Sequence, residues 1–187
     1  MALKTIFRAK TWAWLPLLLL TSCCANNVCD CVGEAREDAV LLVFDQSATG
    51  FTAADLDTVV IQRYPKIIKP NVKPDVKPDV VTIVRTASQA NVPDTITLNN
   101  TTPFPQQGST KLNGYSYRVR FLSHTGPRPN AALALTIDSV QLRGSLEGNG
   151  CCTCYTNSYK ALYVREPDSV TRALVELPKK DVYVIRK

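Results

Sequence analysis

The clearest hydrophobic pattern in this chain is a strict alternation over Tyr115-Ser116-Tyr117-Arg118-Val119-Arg120-Phe121. Tyr115, Tyr117, Val119 and Phe121 fall on one face and Ser116, Arg118 and Arg120 on the other, so the period of two predicts a strand with one buried and one wet side. Val40-Leu41-Leu42-Val43-Phe44 is instead continuously apolar, as expected of a central strand covered on both faces. Thr58-Val59-Val60-Ile61-Gln62-Arg63-Tyr64 is β-branched and predicts another strand. Just before it, Thr52 and Asp55 have capping-box spacing, with Phe51 and Leu56 placed as a hydrophobic staple, so one helical turn is expected there.

Further strands are predicted at Val81-Thr82-Ile83-Val84, at Thr95-Ile96-Thr97-Leu98, and near 159–164, 173–177 and 182–185. Leu135 and Ile137 share one phase and Val140 and Leu142 the other, which demands a bulge, a bend or a change of sheet near Asp138-Ser139. Beyond the first two dozen residues, no helical period lasts three turns. The expected fold is therefore all-β: an antiparallel β-sandwich, immunoglobulin-like or transthyretin-like, of about eight or nine short strands, with a barrel as the lesser choice. Gly144 to Gly150 reads as a flexible turn, and Asn99 to Gly108 as a polar, proline-containing loop.

Residues 69–80 are three tandem tetrapeptides, Lys69-Pro70-Asn71-Val72, Lys73-Pro74-Asp75-Val76 and Lys77-Pro78-Asp79-Val80. Proline at every fourth position fixes φ, removes a donor and biases the preceding lysine toward extended backbone, which excludes a helix or an inner strand. An exposed loop or an extended arm is left. It reads first as a loop lengthened by repetition and second as a recognition arm.

The chain's start has a different logic. Lys4, Arg8 and Lys10 precede a short apolar run that ends in Leu17-Leu18-Leu19-Leu20 and is followed by Thr21 and Ser22. That is the layout of a secretory signal peptide, too short and too interrupted by Pro16 for a membrane span of about twenty residues. Leu20-Thr21-Ser22-Cys23 resembles the lipobox of bacterial lipoproteins: a leucine, two small residues and the cysteine. The resemblance implies cleavage before Cys23, diacylglycerol on its sulfur, and an acyl chain such as palmitate on its amino group. Cys23 would then be a lipid anchor, and two or three chains hold firmly where one is marginal. It also implies a cell-envelope location, and the absence of Asp at position 24 tilts sorting toward the outer membrane.

The expected division is a signal peptide over 1–22, a lipidated Cys-rich tether over 23–38, and a single β-sandwich domain over 39–187. Residues 1–22 hold three of the 22 basic residues and none of the 16 acidic ones. The remaining 165 residues therefore balance 19 against 16, and the formal +6 of the whole chain largely disappears. Without a clustered basic stripe, no nucleic-acid partner is expected.

Six cysteines remain, in two groups: Cys24, Cys29 and Cys31, then Cys151, Cys152 and Cys154. An oxidising envelope makes disulfides the first expectation, and six cysteines allow fifteen connectivities. Two cross-links between the groups would close a loop of more than 100 residues, a contribution of about 4 to 5 kcal/mol by loop-closure entropy. The alternative is a thiol chemistry. Cys29, Cys31, Cys152 and Cys154 supply four sulfurs suited to zinc or cuprous ion, although Cys-x-Cys is tighter than usual metal spacing. Cys151-Cys152-Thr153-Cys154 also has redox spacing, without the βαβ context of a thioredoxin-like fold.

His124, the only histidine, lies in a predicted loop. No nucleophile elbow, glycosidase spacing or phosphate loop accompanies it. No catalytic residue and no cofactor is therefore expected. The reading is a non-enzymatic binding, adhesion or structural module, attached to a membrane by its N-terminal lipid, with a protein or glycan ligand as partner. The Lys-Pro arm and the 99–108 loop are the candidate recognition elements.

Overall fold

The computed structural model describes residues 38–66, 77–85, 95–123, 130–149, 152–167, 169–177 and 182–187. The expected signal peptide, almost all of the expected tether, the first two Lys-Pro tetrapeptides and His124 lie outside the described residues.

Nine strands are described: β1 (Val40–Phe44), β2 (Thr58–Pro65), β3 (Asp79–Val84), β4 (Thr95–Leu98), β5 (Tyr115–Ser123), β6 (Asn130–Asn149), β7 (Cys152–Arg165), β8 (Ala173–Glu176) and β9 (Val182–Ile185). They form a three-stranded sheet, β4-β1-β9, and a six-stranded sheet, β3-β2-β5-β6-β7-β8. The all-β sandwich expected from the patterning is present. One pairing departs from the antiparallel rule, because β9 lies parallel to β1. A parallel neighbour needs a long connection, and here the whole six-stranded sheet intervenes in sequence between the two.

The described residues fall into two units, one within 38–145 and 156–187 and the other within 146–155. The larger is the sandwich. The smaller holds the last residues of β6 and the first of β7, and residues 144–149, expected as a flexible turn, are strand.

Alternation explains the core. Val40, Leu42 and Phe44 of β1, Val59 and Ile61 of β2, and Tyr115, Tyr117, Val119 and Phe121 of β5 all point inward. Ile96 and Leu98 of β4, Leu162 and Val164 of β7 and Ile185 of β9 complete one cluster. Each fully buried aliphatic side chain contributes about 1.5 to 3 kcal/mol of transfer free energy. β1 is the middle strand of its sheet, yet Leu41 and Val43 on its second face are only half-buried. In β6 the inward phase switches between Ile137 and Val140, as the sequence requires. The pairing irregularity sits earlier: Val119 faces Leu135 while Arg120 faces Leu133, so Ala134 is an extra residue. Ala134 and Leu135 are consequently buried side by side.

One inward position of β2 is charged. Arg63 is 3% exposed. Its Nε and Nη2 donate to Asp79 Oδ2 at 3.0 and 2.7 Å, and Nη1 donates to the Pro105 carbonyl at 3.2 Å. The guanidinium lies between the rings of Phe104 and Tyr115, 4.6 and 4.4 Å from their centroids. The 99–108 loop is therefore docked on the sandwich: Phe104 is buried, and Asn99 Oδ1 closes a turn by accepting from the backbone N–H groups of Thr101 and Thr102. Asp79 belongs to the third Lys-Pro tetrapeptide, so the repeat does not run as a loop through residue 80. Its last two residues open the edge strand β3, where the neighbouring proline is tolerated.

Thr52 and Asp55 form the expected capping box, without a helix. Thr52 N–H and Oγ1 donate to Asp55 Oδ2 at 2.8 and 2.7 Å, and Asp55 N–H donates to Thr52 Oγ1 at 3.3 Å. The segment is a turn because β2 begins at Thr58. Lys187 Nζ donates to the same Asp55 oxygen at 2.8 Å. With the Thr52 contacts, this holds the Asp55 carboxyl down to about 2 against an ordinary 3.8. A depressed folded value means stability that is complete above the unfolded value and is lost as pH falls through the folded one. Lys187 is 42% exposed, so water screens much of the pair. We expect Asp55→Asn to be less stable than wild type by about 1 kcal/mol at pH 6, with the gap closing between pH 4 and pH 2. Urea unfolding across that range measures it, and a gap independent of pH would show that the carboxylate's charge is irrelevant.

Candidate binding site: an arginine-lined cleft

The outer face of the six-stranded sheet carries the second face of β5. Register places Arg118 between Gln62 of β2 and Thr136 of β6, and Arg120 between Val60 and Leu133. The bulge at Ala134 turns Leu133 outward while Leu135 and Ile137 stay in the core. Tyr64, two residues beyond Gln62 and on the same face, lies under Arg118, with the guanidinium carbon 5.0 Å from the ring centroid. Further along, Asp138 of β6 accepts two bonds from Arg165 Nη2 at 3.1 and 2.9 Å, and Arg172 Nε stands 3.0 Å from Asp138 Oδ2.

These groups surround a cleft of about 660 Å³. Arg118, Arg120 and Arg165 line it against the carboxylates of Asp138 and Glu166, with apolar contributions from Leu133 and Val170. Asp138 is already shared by two arginines. Arg120 Nε and Arg165 Nε are buried and have no hydrogen-bond partner among the described residues. A buried guanidinium N–H without an acceptor costs about 1 to 3 kcal/mol, more where the group is charged. Just after Tyr64 and Pro65 in the chain, Lys66 donates to the Asn113 carbonyl at 2.9 Å. Burial lowers its pKa, and Asp138 partly opposes that shift.

The residues singled out from sequence lie elsewhere. Cys152 and Cys154 are half-buried on β7. Cys23, Cys24, Cys29, Cys31 and Cys151 lie outside the described residues, and so does any contact between the two cysteine groups. Among the described residues, no group of three or more His, Cys, Asp or Glu could hold a metal ion. The cleft was not anticipated as a site. Arg118 and Arg120 were visible on a wet strand face, but Arg165 and Asp138 join them only through the adjacency of β5, β6 and β7.

Compared with known proteins, the chain matches no family model, no curated protein and no solved structure.

Proposed function

We propose that this chain is a lipid-anchored lipoprotein of the cell envelope, and that its sandwich is a non-enzymatic binding module. The observation that carries the anchor is Leu20-Thr21-Ser22-Cys23, standing behind a basic start and a short apolar run. Cys23 carries diacylglycerol and an acyl chain, and the protein rests on a membrane, on the outer-membrane side of the sorting choice, without crossing it. Among the described residues no helix is long and apolar enough to cross a membrane.

Stapling of the tether to the Cys151–Cys154 segment fits this reading better than a thiolate metal or redox centre. Two cysteine groups of three, in an envelope that oxidises thiols, support it. The cleft supports binding over catalysis. Its lining contains neither imidazole nor thiol, and the Ser169 hydroxyl is engaged with Thr171. A hydroxyl nucleophile needs an adjacent base.

Cys23→Ser should move the protein from the membrane pellet to the soluble fraction after cell lysis, in the absence of detergent. Retention of that variant in the pellet, released only by detergent, would refute the anchor.

A further inference from the structure

We infer that the cleft on the outer face of the six-stranded sheet binds a small anionic organic ligand: a carboxylate or phosphate group on a partly apolar body. Arg118 and Arg120 hold the anionic group. The inference goes beyond lipid anchoring and can fail without affecting it.

Three observations carry it. First, Arg118 and Arg120 are two apart on one strand face, so their charges repel unless an anion lies between or above them. Cross-strand neighbours do not neutralise them: Gln62 and Thr136 flank Arg118, and Val60 and Leu133 flank Arg120. Second, Asp138 is committed to Arg165 and Arg172, which leaves Glu166 as the remaining carboxylate of the lining. Third, the unpartnered Nε atoms of Arg120 and Arg165 belong to side chains lining the same cleft. Each Nε is itself shielded from the cleft, so the paired terminal nitrogens of Arg120 are the edge that can grip a carboxylate or phosphate with two parallel bonds.

Size and lining select the rest of the ligand. About 660 Å³ is far more than a bare oxyanion needs and lies within the range of small-molecule sites. Leu133, Val170 and Pro167 offer the apolar wall for an organic body. Tyr64 stacked against Arg118 restrains that guanidinium beside the cleft that both residues line.

Calorimetric titration of the detergent-solubilised full chain with phenyl phosphate and with benzoate tests this, with inorganic phosphate as the bodiless probe. Saturable binding of at least one organic probe is expected, tighter than inorganic phosphate and weakened by salt; the preferred probe identifies the head group. Arg120→Met and Arg118→Gln should each weaken binding at least about 10-fold. Arg118 is exposed, so that variant reports binding even if Arg120→Met fails to fold. Arg143→Gln, an exposed arginine stacked on Tyr159 outside the cleft, should bind as wild type does. Absence of saturable binding by every probe would overturn the inference. So would equal losses from Arg143→Gln and Arg118→Gln, since binding would then follow overall charge alone.

Discussion

Arg63→Ala should destabilise the sandwich by about 3 kcal/mol, lowering the melting temperature by about 10 °C for a domain of this size. The loss has three parts. Asp79 loses its two-bonded partner, the Pro105 carbonyl loses its donor, and the rings of Phe104 and Tyr115 lose the cation stacked between them. A desolvated cation over an aromatic face is worth about 2 kcal/mol. Breaking a buried ion pair ordinarily costs about 3 to 5 kcal/mol, but Asp79 is 40% exposed and can be rehydrated, which places the expectation at the low end. Arg63→Lys should recover less than half of the loss, because an ammonium neither stacks between two rings nor donates along a fork. Thermal unfolding of the three proteins decides the matter. A change below about 0.5 kcal/mol, the usual scale of surface substitutions, would mean that β3 and the 99–108 loop are held by other contacts.

Phe51→Ala should cost about 4 kcal/mol. Phe51 follows Gly50, whose backbone leaves no room for a Cβ against the Asp45 carbonyl, and Phe51 N–H donates to that carbonyl at 2.7 Å. The tight turn drives the ring into the core edge-on between Phe44 and Phe121, with centroids 5.1 and 5.2 Å away and interplanar angles of 81° and 84°. Removing a buried phenyl costs about 3 to 5 kcal/mol through lost transfer free energy and the cavity left behind. The two edge-to-face pairs add specificity that an aliphatic replacement lacks. Phe51→Leu should therefore cost less than Phe51→Ala, yet more than a volume change alone would suggest. Denaturant unfolding checks both. Equal stability of Phe51→Ala and wild type would show that this ring does not join β1 of one sheet to β5 of the other.

The two predictions rest on features that differ in how readable they were. Phe51 was placed as one half of a staple with Leu56, and both are buried. The alternation of β5 and the inward phase of Val40, Leu42 and Phe44 were legible because a period of two is a local property of the chain. Arg63 shares the phase of Val59 and Ile61, so its inward position was written in the same pattern. A charged side chain at such a site is legible only with its partners, and Asp79, Phe104 and Tyr115 come from separate segments. The tandem Lys-Pro tetrapeptides looked uniform, yet Asp79 is drawn into a strand by β2 and by Arg63. The parallel β1–β9 pair and the bulge at Ala134 carry no local signature, because each is set by which strand arrives beside which. The cleft shares that origin, since its arginines converge through strand order and register.

Intact-mass spectrometry of the purified full-length product, before and after reduction, tests the central claim most directly. A chain that begins at Cys23, bears diacylglycerol and an amide-linked acyl chain, and takes up alkylating reagent at its remaining cysteines only after reduction is the predicted result. A chain still carrying residues 1–22, unacylated and with all cysteines alkylated before reduction, would contradict it.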